Sequence, residues 1–222
     1  MATTRIIPMH VNKGKTIAQC LKARTDYAKN PDKTDGGVLV SSYACDPETV
    51  DAEFLLSKQE YRVLTGRTQK RDVIAYQLRQ SFLPGEITPE EANRLGQELA
   101  QRFTKGDHAY IVCTHIDKKH VHNHIIWNSV SLDCDRKFCN FWGSSKAIRR
   151  LNDTICIENG YSIVEHPQRH GKSYDQWLGD QKPPTHRERL CMAIDHALEQ
   201  KPADFDALLM LLHDAGYEVK QG

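Results

Sequence analysis

The sequence predicts an α+β fold, and three observations predict it. Two apolar runs rich in β-branched and aromatic residues, Tyr110 to Cys113 and Ile125 to Trp127, flank a polar Asp117-Lys118-Lys119 and read as a buried hairpin. Three further strand-like runs precede that hairpin. Stretches with helix caps and helical spacing of apolar residues separate the strands and follow them.

The elements follow in order. Thr4 to Val11 reads as a first strand, with Pro8 arguing for an edge position or a bulge. Lys15 to Lys29 is a basic amphipathic helix through Ile17, Ala18, Leu21 and Tyr27, and it stops before Asn30-Pro31 because the residue before proline is pushed out of helical geometry. Gly36-Gly37 marks a turn into a second strand, VLVSSYA. Asp46-Pro47 has the chemistry of a helix start, for a helix to about Tyr61 with Phe54, Leu55 and Leu56 inward. Arg62 to Arg71 is a basic loop. Asp72 to Phe82 is a third strand, closed by Pro84-Gly85, and Thr88-Pro89-Glu90-Glu91 caps a helix to about Phe103.

The hairpin supplies strands four and five. Beyond it lie a possible strand at Arg136 to Phe141, a helix from about Ser144 to Glu158, and a short strand at Tyr161 to Val164. Residues 166–184, rich in Pro, Gly and His, read as a linker or binding loop. Residues 185–222 form a helical pair, expected to begin a further module of a longer protein, with residues 1–165 as the main domain.

Hydrophobic residues make up 39% and charged residues 27% of the 222, the proportions of a soluble globular chain. No apolar run approaches the length of a membrane span, and the N-terminus lacks a signal-peptide core, so a cytoplasmic protein without a membrane partner is expected. Seven cysteines without a C-x-x-C pair read as reduced thiols and argue against a zinc ribbon. The net charge of +1 hides segregation. Lysines and arginines gather at 13–33, 62–71 and 136–150, the last two stretches holding no acid, as expected of a localised surface for a polyanion.

Four of the 11 histidines, His115, His120, His122 and His124, fall within ten residues. Strand side chains alternate faces, so His122 and His124 share one, and a hairpin closing around Asp117 to Lys119 sets His115 roughly opposite His122. Three imidazoles then converge as ligands for a divalent metal, with coordination positions left open for substrate. His120 shares that face at the loop edge and could stand behind the ligands or touch substrate. Neutral imidazoles leave the metal its full double charge, which suits a phosphodiester. Neither H-E-x-x-H nor H-x-E occurs. The attacking group could be a metal-activated water or a side-chain hydroxyl. Tyrosine suits the second role, since its phenolate also leaves well and permits religation.

His115-x-Asp117 followed by His122-x-His124 resembles the three-histidine signature of conjugative relaxases, the "HUH" single-strand endonucleases. It is most similar to mobilisation relaxases of the VirD2 and MobA kind, the MobP type of Gram-positive plasmids and integrative elements. A strand, then a helix carrying Tyr27, then Asn30-Pro31-Asp32-Lys33-Thr34 resembles their first motif, and Ser81 to Ala92, SFLPGEITPEEA, resembles the same relaxases. The likeness covers roughly residues 1 to 165. One departure is Asn123, where the superfamily usually has a hydrophobic residue. His120-Val121-His122 fits that pattern better, so ligation by His115, His120 and His122 stays open beside His115, His122 and His124.

The resemblance implies a five-stranded antiparallel palm flanked by helices, a manganese or magnesium ion, nicking at a transfer origin, and a 5′-phosphotyrosine link at Tyr27. It implies that Asp117 orients a histidine. It also implies single-stranded or hairpin origin DNA as partner, with accessory DNA-binding proteins and a coupling protein beside it. Lys29, Lys33, Arg67, Lys70, Arg71, Arg136, Lys137 and Trp142, with Phe141, are the candidate DNA contacts. The alternatives are a metal-dependent phosphodiester hydrolase, and a transposase or replication initiator using another nucleophile, for which the later tyrosines are Tyr161 and Tyr174.

Overall fold

Five strands form one antiparallel sheet in a computed structural model that describes residues 2–68, 72–165 and 186–218. They are β1 Thr3–His10, β2 Val40–Tyr43, β3 Val73–Ser81, β4 Tyr110–His115 and β5 His122–Asn128, and their spatial order is β1-β3-β5-β4-β2. The most apolar strands, β4 and β5, are thus interior, and Pro8 lies on an edge strand, where its missing N–H costs no ladder bond. The helices α1 Ile17–Lys29 and α2 Val50–Thr65 cover one face, and α3 Pro89–Thr104 and α4 Ser144–Glu158 the other.

Alternation along β4 and β5 sends side chains to two cores. Tyr110, Val112, Ile125 and Trp127 pack with Leu95 and Leu99 of α3 and Ile148 and Ile155 of α4. Ile111, Cys113 and Ile126 pack with Leu21 and Ala28 of α1 and Phe54 of α2. His115 is two residues beyond Cys113, and His124 two before Ile126. Both therefore belong to the α1 face, at one end of the sheet.

Local chemistry fixes α1. Thr16 accepts from the Gln19 backbone N–H while the Gln19 side chain accepts from Thr16, a reciprocal cap, and Asn30 leaves helical geometry ahead of Pro31. α3 starts as its sequence dictates, with the Thr88 hydroxyl capping the Glu91 N–H and Pro89 in the first turn.

Several expectations need correction. Asp46 accepts from the Glu48 N–H in a turn, and α2 begins only at Val50 and extends to Thr65, ended by the left-handed Gly66. Its inner face is Val50, Phe54, Lys58 and Tyr61, while Leu56 is exposed. Arg136 to Phe141 forms one isolated bridge, Val130 with Lys137, rather than a strand. Tyr161 to Val164 is not a strand either, and Ser162 is tied instead to Glu86.

The chain divides into two compact units, Met1–His166 and Pro167–Gly222. In the second, α5 His186–Glu199 and α6 Phe205–Asp214 pack on each other, with Asp204 capping α6. The expected loop at 166–184 lies outside the described residues. No helix among them is long and apolar enough to cross a membrane.

Candidate metal centre and nucleophile

The hairpin register pairs His115 with His122 and Cys113 with His124. With all three imidazoles on the α1 face, one ring nitrogen of each of His115, His122 and His124 lies within 4.8 Å of the others. The His120 ring is 5.1 Å from that of His122 but is not part of this group.

Each ligand-candidate ring is held from behind. His115 Nε2 donates to the Ala28 carbonyl oxygen at 2.8 Å, which leaves its lone pair on Nδ1, and that buried atom has no hydrogen-bond partner. A buried acceptor without a donor costs roughly 1–3 kcal/mol, and a cation would satisfy it. His122 Nδ1 faces the His120 carbonyl at 3.4 Å, so its Nε2 is free. His124 Nδ1 faces Gln77 Nε2 at 2.5 Å, and turning that amide over brings its oxygen to the ring instead. An amide offers both a donor and an acceptor, and with its oxygen toward the ring it takes the Nδ1 proton and frees Nε2.

Burial and then mutual repulsion push the His122 pKa down to about 4 and that of His124 to about 3, and burial lowers His115 as well. All three are neutral at pH 7. Three neutral, clustered imidazoles with an orphaned lone pair form a donor set that fits a divalent cation.

Tyr27 reaches this cluster from the last turn of α1. Its ring centroid is 5.6 Å from that of His124 and 5.8 Å from that of His115, and 49% of the residue is exposed. Lys33 Nζ stands 3.4 Å from the Tyr27 hydroxyl and 4.4 Å from the ring centroid. The same ammonium pairs with Asp117 at 3.3 Å. The groups that hydrogen-bond to the histidines are the Ala28 and His120 carbonyls and Gln77, while the Asp117 carboxylate pairs with Lys33 and acts on His115 and His122 through its charge.

Asn123, between the two β5 histidines, points to the opposite face. Its amide donates to Gln80 at 2.8 Å and to the Ala92 carbonyl at 2.6 Å, and its oxygen accepts from Thr114 at 2.7 Å. Thr114 also bonds Asn93 of α3, and Gln80 bonds Asn152 of α4. A polar residue is tolerated there because every bond is made.

The expected DNA contacts divide. Lys29 is tied to the Pro47 carbonyl at 2.5 Å and Lys33 to Asp117. Lys137 is paired with Asp72, and Arg136 lies near Asp135 and Asp107. Those last two cations sit beside the Asn128 end of β5, which at about 3.3 Å per residue is ~20 Å from His122. Arg136 and Lys137 are thus not at the histidine cluster. Arg67, past the α2 cap, and Trp142, 88% exposed with Lys146 over its ring, are exposed. Phe141, also exposed, lines a cavity of about 520 Å³ with Thr104 and His108. Lys70 and Arg71 lie outside the described residues.

Sequence reading missed two neighbours of the cluster. Gln77 and Arg79 alternate onto its face of β3, and Arg79 is directly opposite both His124 and Arg5 in the ladder. Both arginines are exposed, and among the described residues neither has a carboxylate partner. The signal was the spacing of Gln77 and Arg79, which acquires meaning only once β3 is known to pair with β5.

Comparison with known proteins gives consistent relatives. Residues 27–161 match the family model described as the relaxase MobA/VirD2-like nuclease domain. A protein called rlx from Staphylococcus aureus is 38% identical over 125 residues, covering 56% of this chain and 38% of that protein. A second rlx from the same species is 32% identical over 180 residues, covering 81% and 54%. The group II intron-interrupted relaxase LtrB of Lactococcus lactis subsp. cremoris is 28% identical over 210 residues, covering 78% and 36%. The chain spans about a third to a half of the length of these curated relatives. Among solved structures, the MobM relaxase domain, Mn-bound and in complex with plasmid pMV158 oriT DNA, superposes with a TM-score of 0.57 at 11% identity, covering 81% of this chain and 99% of that one, a likeness of fold.

Proposed function

This chain belongs to the MobA/VirD2-like relaxases through its nuclease domain, and on that premise we propose that it nicks one strand of DNA at a transfer origin and joins itself to the 5′ phosphate through Tyr27. The observation that carries the reading is the Tyr27 ring standing 5.6 Å from His124 and 5.8 Å from His115. A phosphate between the phenol and the imidazole nitrogens touches both. Residues 1–165 carry this chemistry, in the cytoplasm, and the helical pair that begins at His186 belongs to a separate module.

His115, His122 and His124 would hold a manganese or magnesium ion, which when bound supplies positive charge to a non-bridging phosphate oxygen as negative charge builds there. The Tyr27 oxygen attacks phosphorus and loses its proton to solvent, to which the residue is open. The new bond is phosphorus to phenol oxygen, and the bond broken is phosphorus to the 3′ oxygen, which leaves and takes up a proton. Lys33, 3.4 Å from the phenol oxygen, stabilises its negative charge in both directions, so that a free 3′ hydroxyl can later displace the phenolate. Arg79, opposite His124 in the ladder, and Arg5 beyond it have no carboxylate partner among the described residues and are cations for the flanking phosphates.

The test uses labelled single-stranded DNA spanning the transfer origin of the protein's own element, with manganese. The native protein is expected to form an adduct that survives denaturation, Tyr27→Phe to form none, and Tyr161→Phe and Tyr174→Phe to form it normally. A cut without an adduct returns a hydrolase, and an undiminished adduct from Tyr27→Phe overturns the assignment.

A further inference from the structure

A second cavity, of about 250 Å³, opens beside the nucleophile between the end of β1 and α1. Met9 lines it from the buried side, His10, Asn12, Lys15 and Arg24 supply its polar lining, and Tyr27 forms one wall. Arg24 is three residues before Tyr27 on α1, so the two side chains are neighbours on one helix face. The single acid of α1, Asp26, is taken by Lys22, and among the described residues Lys15 and Arg24 meet no carboxylate. Two cations without an acid, converging on a concavity, call for a ligand rich in acceptors.

The size and lining narrow the ligand. The volume is below the roughly 300–1,000 Å³ of sites for drug-sized molecules, so it holds one ring system and not a stack. The Met9 thioether is a soft surface for the face of a ring. A guanidinium and an ammonium are donors only, and guanine presents two adjacent acceptors, O6 and N7, whereas cytosine presents a donor amino group. Because Tyr27 is both the wall of this cavity and the group that attacks phosphorus, any base within it belongs to a nucleotide next to the scissile phosphate.

Resting on the nicking reading, we propose that this cavity takes one base of the single strand beside the nick and that Arg24 makes it select guanine. Lys15 closes the cavity over the adjoining phosphate. Sequence specificity at that one position is thereby built into the helix that carries the nucleophile.

The experiment has two arms. In the first, each nucleotide flanking the mapped nick is replaced in turn, and adduct formation is measured for the native protein and for Arg24→Ala. The native protein is expected to demand guanine at one adjoining position, by between about fivefold and a hundredfold, and Arg24→Ala to lose that preference there and keep the others. Preferences unchanged at every position, or an equal loss for every substrate, overturns the proposal, the latter because it is the behaviour of a phosphate contact. The second arm measures binding of short oligothymidylates with and without one guanine to chelator-treated protein, where no cutting intervenes. Tighter binding of the guanine-bearing strand, abolished in Arg24→Ala, supports the cavity, and equal binding overturns it. If the native protein forms no adduct at all, the nicking reading falls while the second arm still decides the cavity.

Discussion

Lys33 Nζ lies between the Tyr27 hydroxyl at 3.4 Å and the Asp117 carboxylate at 3.3 Å, so one ammonium links nucleophile and acid. Burial pulls the Lys33 pKa down, but the hydrogen bonds to Tyr27 and Asp117 outweigh it and leave the value above that of an ordinary lysine, so the group stays charged. A fixed cation facing a developing oxyanion contributes on the scale of an oxyanion-hole donor, and Lys33→Met should slow single-turnover adduct formation by roughly 10²–10³. Manganese affinity should not change. The defect should persist when the 3′ leaving oxygen is replaced by sulfur, because Lys33 acts on the attacking side. Rescue by the sulfur substrate would move Lys33 to the leaving group, and an unchanged rate would remove it from the reaction.

The groups behind the histidines set the second expectation. Gln77 holds His124, and loss of such a partner typically weakens metal binding by about 10–100-fold, so Gln77→Ala should do so in a calorimetric titration with manganese. His115→Ala, His122→Ala and His124→Ala should each bind far more weakly still. His120→Ala should bind like the native protein, since its ring is outside the cluster. A large loss in His120→Ala would restore the alternative ligand set.

The hairpin was legible because two local signals agree: alternation put His122 and His124 on one face, and a polar turn of known length put His115 across from His122. The end of α1 was legible too, since proline dictates it at Pro31. Strand order was not. That β3 lies against β5, bringing Gln77 and Arg79 to His124, is a long-range pairing with no trace in local periodicity. The partners of the basic residues were not legible either, for a related reason. Sequence counts charges without their partners, and Lys29, Lys33 and Lys137 are occupied by the Pro47 carbonyl, Asp117 and Asp72. The pairing of Asp117 with Lys33 was not legible, because it depends on the loop after α1 folding back against the hairpin turn.

Acid should destabilise the metal-free protein earlier than its carboxylates alone would. In the unfolded chain a histidine takes up a proton near pH 6.5, whereas folded His122 and His124 do so only near about 4 and about 3. Between those limits the unfolded state binds more protons, so stability present above pH 6.5 is lost as the pH falls toward 4. Lowering a pKa by one corresponds to about 1.4 kcal/mol, so the loss is of the order of a few kcal/mol. Urea midpoints of chelator-treated protein should fall across that window, and the fall should be shallower in His124→Gln. A flat profile would mean that the rings are not held neutral by the fold.

The amide network under the histidines should govern the site from the opposite face of the sheet. A slip of β5 by one residue would turn His122 and His124 toward α3 and Asn123 toward the metal, because strand side chains alternate. The Asn123 bonds to Gln80, Thr114 and the Ala92 carbonyl exist only in the native register, so they penalise that slip. α3 approaches closely enough to make them because Gly96 has no side chain: a Cβ there would stand 2.5 Å from Asn123 Nδ2 and 2.8 Å from Val112 Cγ1. Gly96→Ala should therefore destabilise by about 1–3 kcal/mol through overpacking. Asn123→Leu should cost a similar amount or more, since it strands buried partners on β3 and β4. Both should also weaken manganese binding, though neither residue faces the cluster, and the comparison that decides is with Phe54→Ala. That change lowers stability by about 3–5 kcal/mol from the core on the α1 and α2 face and removes none of the Asn123 bonds that fix the β5 register. Equal losses of manganese affinity in all three variants would reduce the network to general stability, and a loss confined to Gly96→Ala and Asn123→Leu would assign it the register.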